Sequence, residues 1–452
     1  MQSSDLLAAP VKPLILKVAL PSMLAMIASA LCTLLDALLL ARQSAHSAAA
    51  AAVSFPLLAC IQALGFTLGM GSGSFVSRCL GSRNPDAAHT AASTAFFFAA
   101  VVSCVLCAAG FFLSGPLSSL LGAQGDVLAP AGAYTRYVLS SGPLLCMSLV
   151  LSSLLRALGR TRSNMIAFVS GSAAGIVLQV ALIPRLGIHG AGVSMLAREA
   201  VTLALLALSV FRGEAIIRPR LHAVSLRLSV FRDIMRSGAP TLLRQGLMSV
   251  SSALLTRTSA AFGEAALAGV GLSVRALSLI SAAVIGFGQG FQPVCGASFG
   301  AGHMDRVREA YRFCMRAVVL ALLGAGAALF FFSRPLLRLF SPEMQALEIA
   351  NSALRAQSVV LFAQGAVIVM NMLTQAAGMT LRASVIASSR QGFVLIPLLL
   401  LLPRLLGLPG LIWCQSVSDL VSLGLSLFVM RGAIRDCACA RGGCSDARTA
   451  SQ

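Results

Sequence analysis

The chain has 452 residues, of which 57% are hydrophobic and only 11% charged, with a formal net charge of +19. Soluble domains carry about 25% charge, whereas here apolar runs of the ~20 residues that cross a ~30 Å hydrocarbon core recur along the whole length. That excludes a soluble enzyme and places the chain among all-α polytopic membrane proteins. The basic residues fall in short clusters between the apolar runs, the pattern of membrane topology; no nucleic-acid partner is expected.

In chain order the apolar runs predict helices over 14–41, 48–77, 88–114, 127–157, 161–184 and 190–211. Six more follow over 232–262, 265–298, 307–333, 345–378, 381–404 and 408–434. The first run, "VKPLILKVALPS", has no small-residue cleavage site after it and reads as a retained span, not a signal peptide. Basic clusters at Lys12 and Lys17, Arg78 and Arg83, Arg156 to Arg162, Arg212 to Arg236, Arg306 to Arg312, Arg382 to Arg390 and Arg431 to Arg441 all land on one side. By the positive-inside rule that side is cytoplasmic and holds both termini.

Six landmarks recur in the second half at one and the same offset. Pro21 of "ALPS" maps to Pro240 of "GAPT", and the start of "LGSRNPD" (Leu80) to that of "FGAGHMD" (Phe299). The same shift carries Pro116 to Pro335, Arg136 to Arg355, Gly159 to Gly378 and Pro184 to Pro403. The chain therefore reads as two six-helix lobes: an N-terminal tail over 1–13, an N-lobe over 14–213, a cytoplasmic linker over 214–231, a C-lobe over 232–436 and a cytoplasmic tail over 437–452. Six helices per half make a parallel repeat with its pseudo-two-fold axis along the membrane normal. In such transporters substrate sits between halves that rock against each other.

Motifs for other chemistries fail on context. The only lysines are Lys12 and Lys17, so no phosphate-loop lysine exists. "GASFG" (Gly296–Gly300) fits the nucleophile-elbow pattern but ends an apolar helix instead of joining strand to helix. No two histidines have ligand spacing, so neither a metal nor an enzyme activity is expected. Gly65, Gly69 and Gly73, and again Gly286 and Gly290, lie four apart, a spacing that lets membrane helices approach closely. The cysteines read as small buried hydrophobes, and those of the tail, Cys437, Cys439 and Cys444, as reduced cytoplasmic thiols.

Charges inside spans remain, each costing roughly 2.5–3.5 kcal/mol at a helix centre. Of the fifteen acids, Asp36, Glu199 and Asp419 lie well inside predicted helices. Asp36 of "TLLDALLLAR" sits about five residues, or ~8 Å, from the outer end of helix 1. Arg42 is about 240° further round the same helix and is no local partner. Gln179 on helix 5 lies at a matching depth and Glu199 on helix 6 slightly deeper, so the three form a candidate coupling site facing one outer cavity. A core aspartate that holds helices together is the other reading. Leu255 stands where the repeat would place a second copy of Asp36. In the second half Arg275 and Asp419 lie at about equal depth and are expected to pair; with Asn371 and Gln289 they make the candidate polar lining of the cleft or C-lobe.

These features together resemble the multidrug and toxic compound extrusion (MATE) transporters. The likeness covers essentially the whole chain, through the aspartate of "TLLDALLLAR", "VSRCLGSRNPDAA", "RALGRT", "GFGQGFQPVCGASFGAGHMDRVREA", "QAAGMT" and "LGLPGLIWCQSVSDLVS". The resemblance implies a monomeric inner-membrane antiporter without cofactor, which takes in H⁺ or Na⁺ and expels amphipathic, often cationic, drugs or metabolites. A flippase for lipid-linked sugars, from the same wider superfamily, is the alternative. Asp36 matches the family's helix 1 carboxylate. Where some members carry Asn and Asp on helix 5 this chain has Gly175 and Gln179, Met195 replaces a threonine, and Asn371 stands in a region where one branch has acids. These departures point to H⁺ over Na⁺.

Overall fold

The structure, a computed structural model, describes residues 9–121, 123–212, 217–225, 227–338 and 344–439. Nearly all are helical, and no strand occurs among the described residues. The first half holds α1 (Val11–Gln43), α2 (Ala45–Gly81), α3 (Pro85–Leu120), α4 (Leu128–Ala157), α5 (Thr161–Leu186) and α6 (Ile188–Phe211). The second holds α7 (Leu228–Ala260), α8 (Glu264–Gly300), α9 (Met304–Arg338), α10 (Met344–Ala376), α11 (Thr380–Leu406) and α12 (Leu408–Cys439). Even α6, with 24 residues, spans ~36 Å, more than a hydrocarbon core. Eleven of the helices are apolar enough to cross a membrane. The other, α7, is 33 residues long but carries Arg232, Asp233, Arg236, Arg244 and Arg257.

Side-chain caps mark where two of these helices begin. The Ser44 hydroxyl accepts from the Ser47 amide at 3.0 Å, and Asn84 Oδ1 accepts from the Ala87 amide at 3.1 Å with Pro85 in the first turn. Both satisfy amides that a helix start leaves without an intrahelical partner. The N-terminal tail before residue 9 and the end of the C-terminal tail with Cys444 lie outside the described residues; of Cys437 and Cys439 only the backbone, in the last turn of α12, is described.

The two halves meet by exchange. α1 packs on α8, and α7 packs on α2, so the first helix of each half lies against the second helix of the other. The contacts are close because small residues line them. A β-carbon on Gly290 would overlap Ala19, and one on Gly71 would overlap the backbone of Ile234 and Gly238. Gly71 and Gly290 are repeat counterparts, as are Ala19 and Gly238. At the basic ends of the helices α2 and α8 cross, with Gly81 against Ala297 and its counterpart Gly300 against Arg78. The close packing expected of the glycine spacing is therefore present, and much of it lies between the halves.

Arg78 adds a polar clasp at that end. Its guanidinium donates to the Gln375 and Ala376 carbonyls, at 3.4 and 3.2 Å, and to the Ser237 hydroxyl at 3.1 Å. Gln375 in turn donates to the Ser237 carbonyl and to Thr241 Oγ1 at 2.9 Å. The described part of the linker lies on α3: the Arg220 amide donates to Ser93 Oγ at 2.9 Å and the Ser225 amide to Thr94 Oγ1 at 3.1 Å.

The repeat is not uniform. α11 contains a π turn, Ser389–Phe393, the form that one inserted residue takes inside an α-helix. Gly187 ends α5 with φ 60° and Gly407 ends α11 with φ 65°. Gly190 lies against the Leu182 carbonyl as Gly410 lies against the Leu402 carbonyl. Each of these pairs is separated by one residue more than the offset that joins Pro21 to Pro240. The match of Pro184 with Pro403 is thus one residue off in space, and the register beyond the π turn is corrected by one.

Replacing Gly290 with valine should overpack the contact between halves and cost about 1–3 kcal/mol. Thermal unfolding in detergent should show a lower midpoint for Gly290→Val. Gly424→Ala, at a helical glycine with open space around it, should leave the midpoint unchanged or raise it.

Candidate functional site

In the first half, four helices bring polar side chains together near Asp36. α1 supplies Cys32 and Asp36, α4 Tyr134, α5 Gln179, and α6 Arg198 and Glu199. The Tyr134 hydroxyl donates to Asp36 Oδ2 at 3.4 Å, while Asp36 Oδ1 is buried and has no partner among the described residues. Arg198 clamps Glu199 Oε1 through Nε at 3.0 Å and Nη2 at 2.8 Å. Its Nη1 reaches Cys32 Sγ at 3.8 Å, and its positive charge also acts on Asp36. Gln179 donates to the same sulfur at 3.6 Å, leaving its Oε1 buried without a partner.

The three residues grouped by sequence depth thus do not share one surface. Glu199 lines the cavity as half of an ion pair. Gln179 is tied to Cys32, and Asp36 stands one turn outward of the cavity-lining Thr33. Sequence reasoning missed Tyr134 and Cys32. Tyr134 is one of three tyrosines in the chain, and a phenol inside an apolar run needs a partner for its hydroxyl; that was the available signal. Cys32 gave none, because a buried thiol looks like any small hydrophobe.

Next to this cluster lies a cavity of about 70 Å³. Its polar lining includes Ser22, Gln62, Ser152, Arg156, Asn164 and Glu199, and Gln289 reaches in from the other half. Arg156 is buried and donates to Ser152 and to Ser153 Oγ. Asn164 Oδ1 is buried without a partner.

In the second half the equivalent positions are hydrogen-bonded to one another. The counterparts of Gln62 and Leu145 are Ser281 and Gln364, which are hydrogen-bonded at 2.7 Å. The counterparts of Ser152 and Asn164 are Asn371 and Ala383, joined by a 2.8 Å bond from the Asn371 amide to the Ala383 carbonyl. Those of Ser22 and Arg156 are Thr241 and Gln375, which are bonded as well. Arg244 stands where the first half has Ala25. Asn371 therefore braces α10 against α11, and Gln289 is the C-lobe candidate that faces a cavity.

The expected pairing of Arg275 with Asp419 is not found. Arg275 is exposed on α8, and Asp419 Oδ1 accepts instead from Arg390 Nε at 2.6 Å. Arg390 belongs by sequence to a basic cluster outside the membrane, but the π turn of α11 carries it against α12, and the Ser418 hydroxyl donates to its carbonyl at 3.0 Å. The shift of register has a second consequence: at the offset that joins Gly187 to Gly407, Asp419 is the counterpart of Glu199. Each half holds a carboxylate at one place and an arginine beside it, from α6 itself in the first half and from α11 in the second.

A family model described as MatE matches residues 21–181 and 240–401. The second match is longer than the first by the same extra residue. The multidrug export protein MepA of Staphylococcus haemolyticus is 23% identical over 391 residues, 86% of each chain. MepA of Staphylococcus aureus is 23% identical over 390 residues, again 86% of each. An outward-facing multidrug resistance MATE transporter superposes with a TM-score of 0.91 at 23% identity, covering 97% of this chain and 99% of that one. A MOP superfamily transporter from Pyrococcus furiosus gives 0.91 at 22%, with the same coverage. These likenesses establish the twelve-helix, two-lobe fold.

Breaking a buried ion pair by removing one partner costs about 3–5 kcal/mol, because the other charge is left alone. Asp419→Asn should therefore lower the yield of folded protein, measured as the monodisperse fraction in detergent. Arg390→Gln in the same chain should restore part of it, and Arg275→Gln should not. Equal behaviour of the two arginine variants would refute the pair.

Proposed function

Because the chain belongs to the MatE family and is a multi-pass membrane transporter, not an enzyme, we propose that it exports amphipathic, often cationic, compounds in exchange for protons. It does so across the inner membrane, as a monomer, with both termini and the linker in the cytoplasm. The names of the staphylococcal relatives support multidrug export. The basic clusters at one end of the helices support the orientation.

The observation that carries the coupling is the state of Asp36. One carboxylate oxygen is held by Tyr134, and the other is buried without a donor. Such an oxygen is a proton acceptor with its geometry already fixed. A metal cation fits the cluster poorly, for two reasons. The Arg198 guanidinium already supplies a fixed positive charge there. And a side chain at Gly175 would meet Cys32 Sγ at 3.1 Å and Arg198 Cβ at 3.2 Å, so a ligand added from that position of α5 would have to push both neighbours aside. Glu199 is held by Arg198, which leaves Asp36, among the described residues inside the spans of the first half, as the carboxylate with an unpartnered oxygen.

Ionised, Asp36 attracts a cationic or polar compound toward the N-lobe; protonated, it does not. Proton entry from outside then favours release, and the two states of the lobe differ in affinity, as a switch requires. A potential of ~100 mV supplies ~2.3 kcal/mol per charge, and one pH unit adds ~1.4 kcal/mol. One-for-one exchange with an uncharged compound is electrogenic and sustains a gradient of roughly a few hundredfold; with a monovalent cation the potential cancels and one pH unit sustains about tenfold.

The test is dye efflux in everted vesicles under separately imposed pH and Na⁺ gradients. Wild type should respond to the pH gradient alone. Asp36→Asn should abolish the response while keeping expression and at least some dye binding. Wild-type rates in Asp36→Asn, with the same dependence on pH gradient, would show that Asp36 only holds helices together.

A further inference from the structure

One face of α9 at the basic end of the molecule is strongly charged and uncovered. Arg308, Arg312 and Arg316 follow one another at four-residue spacing and are all exposed. With Lys12 at the start of α1 they line a cleft of about 410 Å³. Asp305 and Glu309 also line it, so four positive charges face two negative ones. Arg308 lies 3.8 Å from Asp305, whereas Arg312 and Arg316 make no ion pair among the described residues.

The first half shows what normally occupies this place. The counterparts of Arg308, Arg312 and Arg316 on α3 are His89, Ser93 and Phe97. There the linker lies across the helix, bonded to Ser93 and Thr94. On α9 the same face carries arginine in place of the hydroxyl that anchors the linker. Above Arg316 the stripe turns apolar, with Leu320 68% and Leu323 47% exposed. Charged groups at the helix end followed by exposed leucines one turn further on is the profile of a lipid-facing boundary, and basic clefts between helices bind anionic head groups.

We propose that this cleft binds the phosphate head group of an anionic phospholipid, whose acyl chains run along Leu320 and Leu323. Lys12 comes from the N-lobe and the arginines from the C-lobe, so the lipid joins the halves at the end that Arg78 also clasps. Arg306 already ties α9 to the N-terminal segment there, donating to the Ala9 carbonyl at 2.7 Å.

The full chain in mild detergent, titrated with phosphatidylglycerol or phosphatidylcholine and read by native mass spectrometry, tests this. Wild type should retain phosphatidylglycerol in preference to phosphatidylcholine. Each basic residue near a head group contributes about fivefold, so Arg308→Gln/Arg312→Gln/Arg316→Gln should lose affinity by at least about tenfold. Arg312→Lys should keep most of it, which separates the charge from the fold. The control Arg227→Gln/Arg232→Gln/Arg236→Gln removes the same charge elsewhere and should retain binding; an equal loss there would mean diffuse electrostatics and overturn the proposal. Displacement of the lipid by millimolar glycerol 3-phosphate would assign the cleft to a soluble phosphate instead. A rise in phosphatidylglycerol affinity on deleting residues 440–452 would assign it to the C-terminal tail.

Discussion

A charged group in hydrocarbon has only the protein to answer it, and the helices of this chain are held where such answers are made. Arg198 neutralises Glu199 and reaches Cys32, which ties α6 to α1. Arg390 neutralises Asp419 and ties α11 to α12. Arg78 caps carbonyls that the end of α10 leaves open and joins the two halves. Small residues stand beside the contacts of Arg198 and Arg78. Gly71 and Gly290 let backbones of opposite halves come together, and Gly175 leaves room for Arg198. Close approach comes first, and the polar contacts then hold what it has placed.

Pseudo-symmetry makes the difference between the halves meaningful. Three pairs of positions that border an open cavity in the first half are hydrogen-bonded to each other in the second. Gln364, Asn371 and Gln375 on α10 each bridge to a neighbouring helix, where α4 has Leu145, Ser152 and Arg156. Bridges of this kind brace a helix bundle, because separating them leaves polar groups unpaired in a dry interior. The first half lacks those bridges and holds Asp36, with its buried, unpartnered oxygen. The open cavity and the unpartnered carboxylate oxygen thus lie in the same lobe, while the other lobe is braced.

Hydropathy and the shared offset made the helices, the duplication and the in-membrane acids legible, because each is a property of many residues in a row. α7 was readable despite its arginines, since its repeat partner α1 is plainly apolar. What could not be read is which side chains meet. Equal depth suggested Arg275 for Asp419, but depth says nothing of the direction in which a side chain leaves its helix. The π turn rotates α11 by one residue and delivers Arg390, which linear reading assigns to the basic cluster at the cytoplasmic end of its helix. The signal was present in the glycines: the stretch from Gly378 to Gly407 is one residue longer than that from Gly159 to Gly187. The coincidence of "PRL" in both halves hid it.

That single residue also explains how the two copies diverged while keeping one feature. A carboxylate stands at the same place on the last helix of each half, as Glu199 and Asp419, and in both it is nearly buried. Leaving either unpaired would be costly, so an arginine accompanies each. In the first half it is the preceding residue, whose guanidinium folds back on Glu199 and still reaches toward Cys32 and the field of Asp36. In the second it comes from the widened turn of α11, and Ser418 occupies the place of Arg198. The second pair is directed inward, between α11 and α12, with Leu255 where an Asp36 would be. The arginine of the first half pairs with Glu199 and also acts on a second carboxylate, Asp36, whereas that of the second half pairs with Asp419 between α11 and α12.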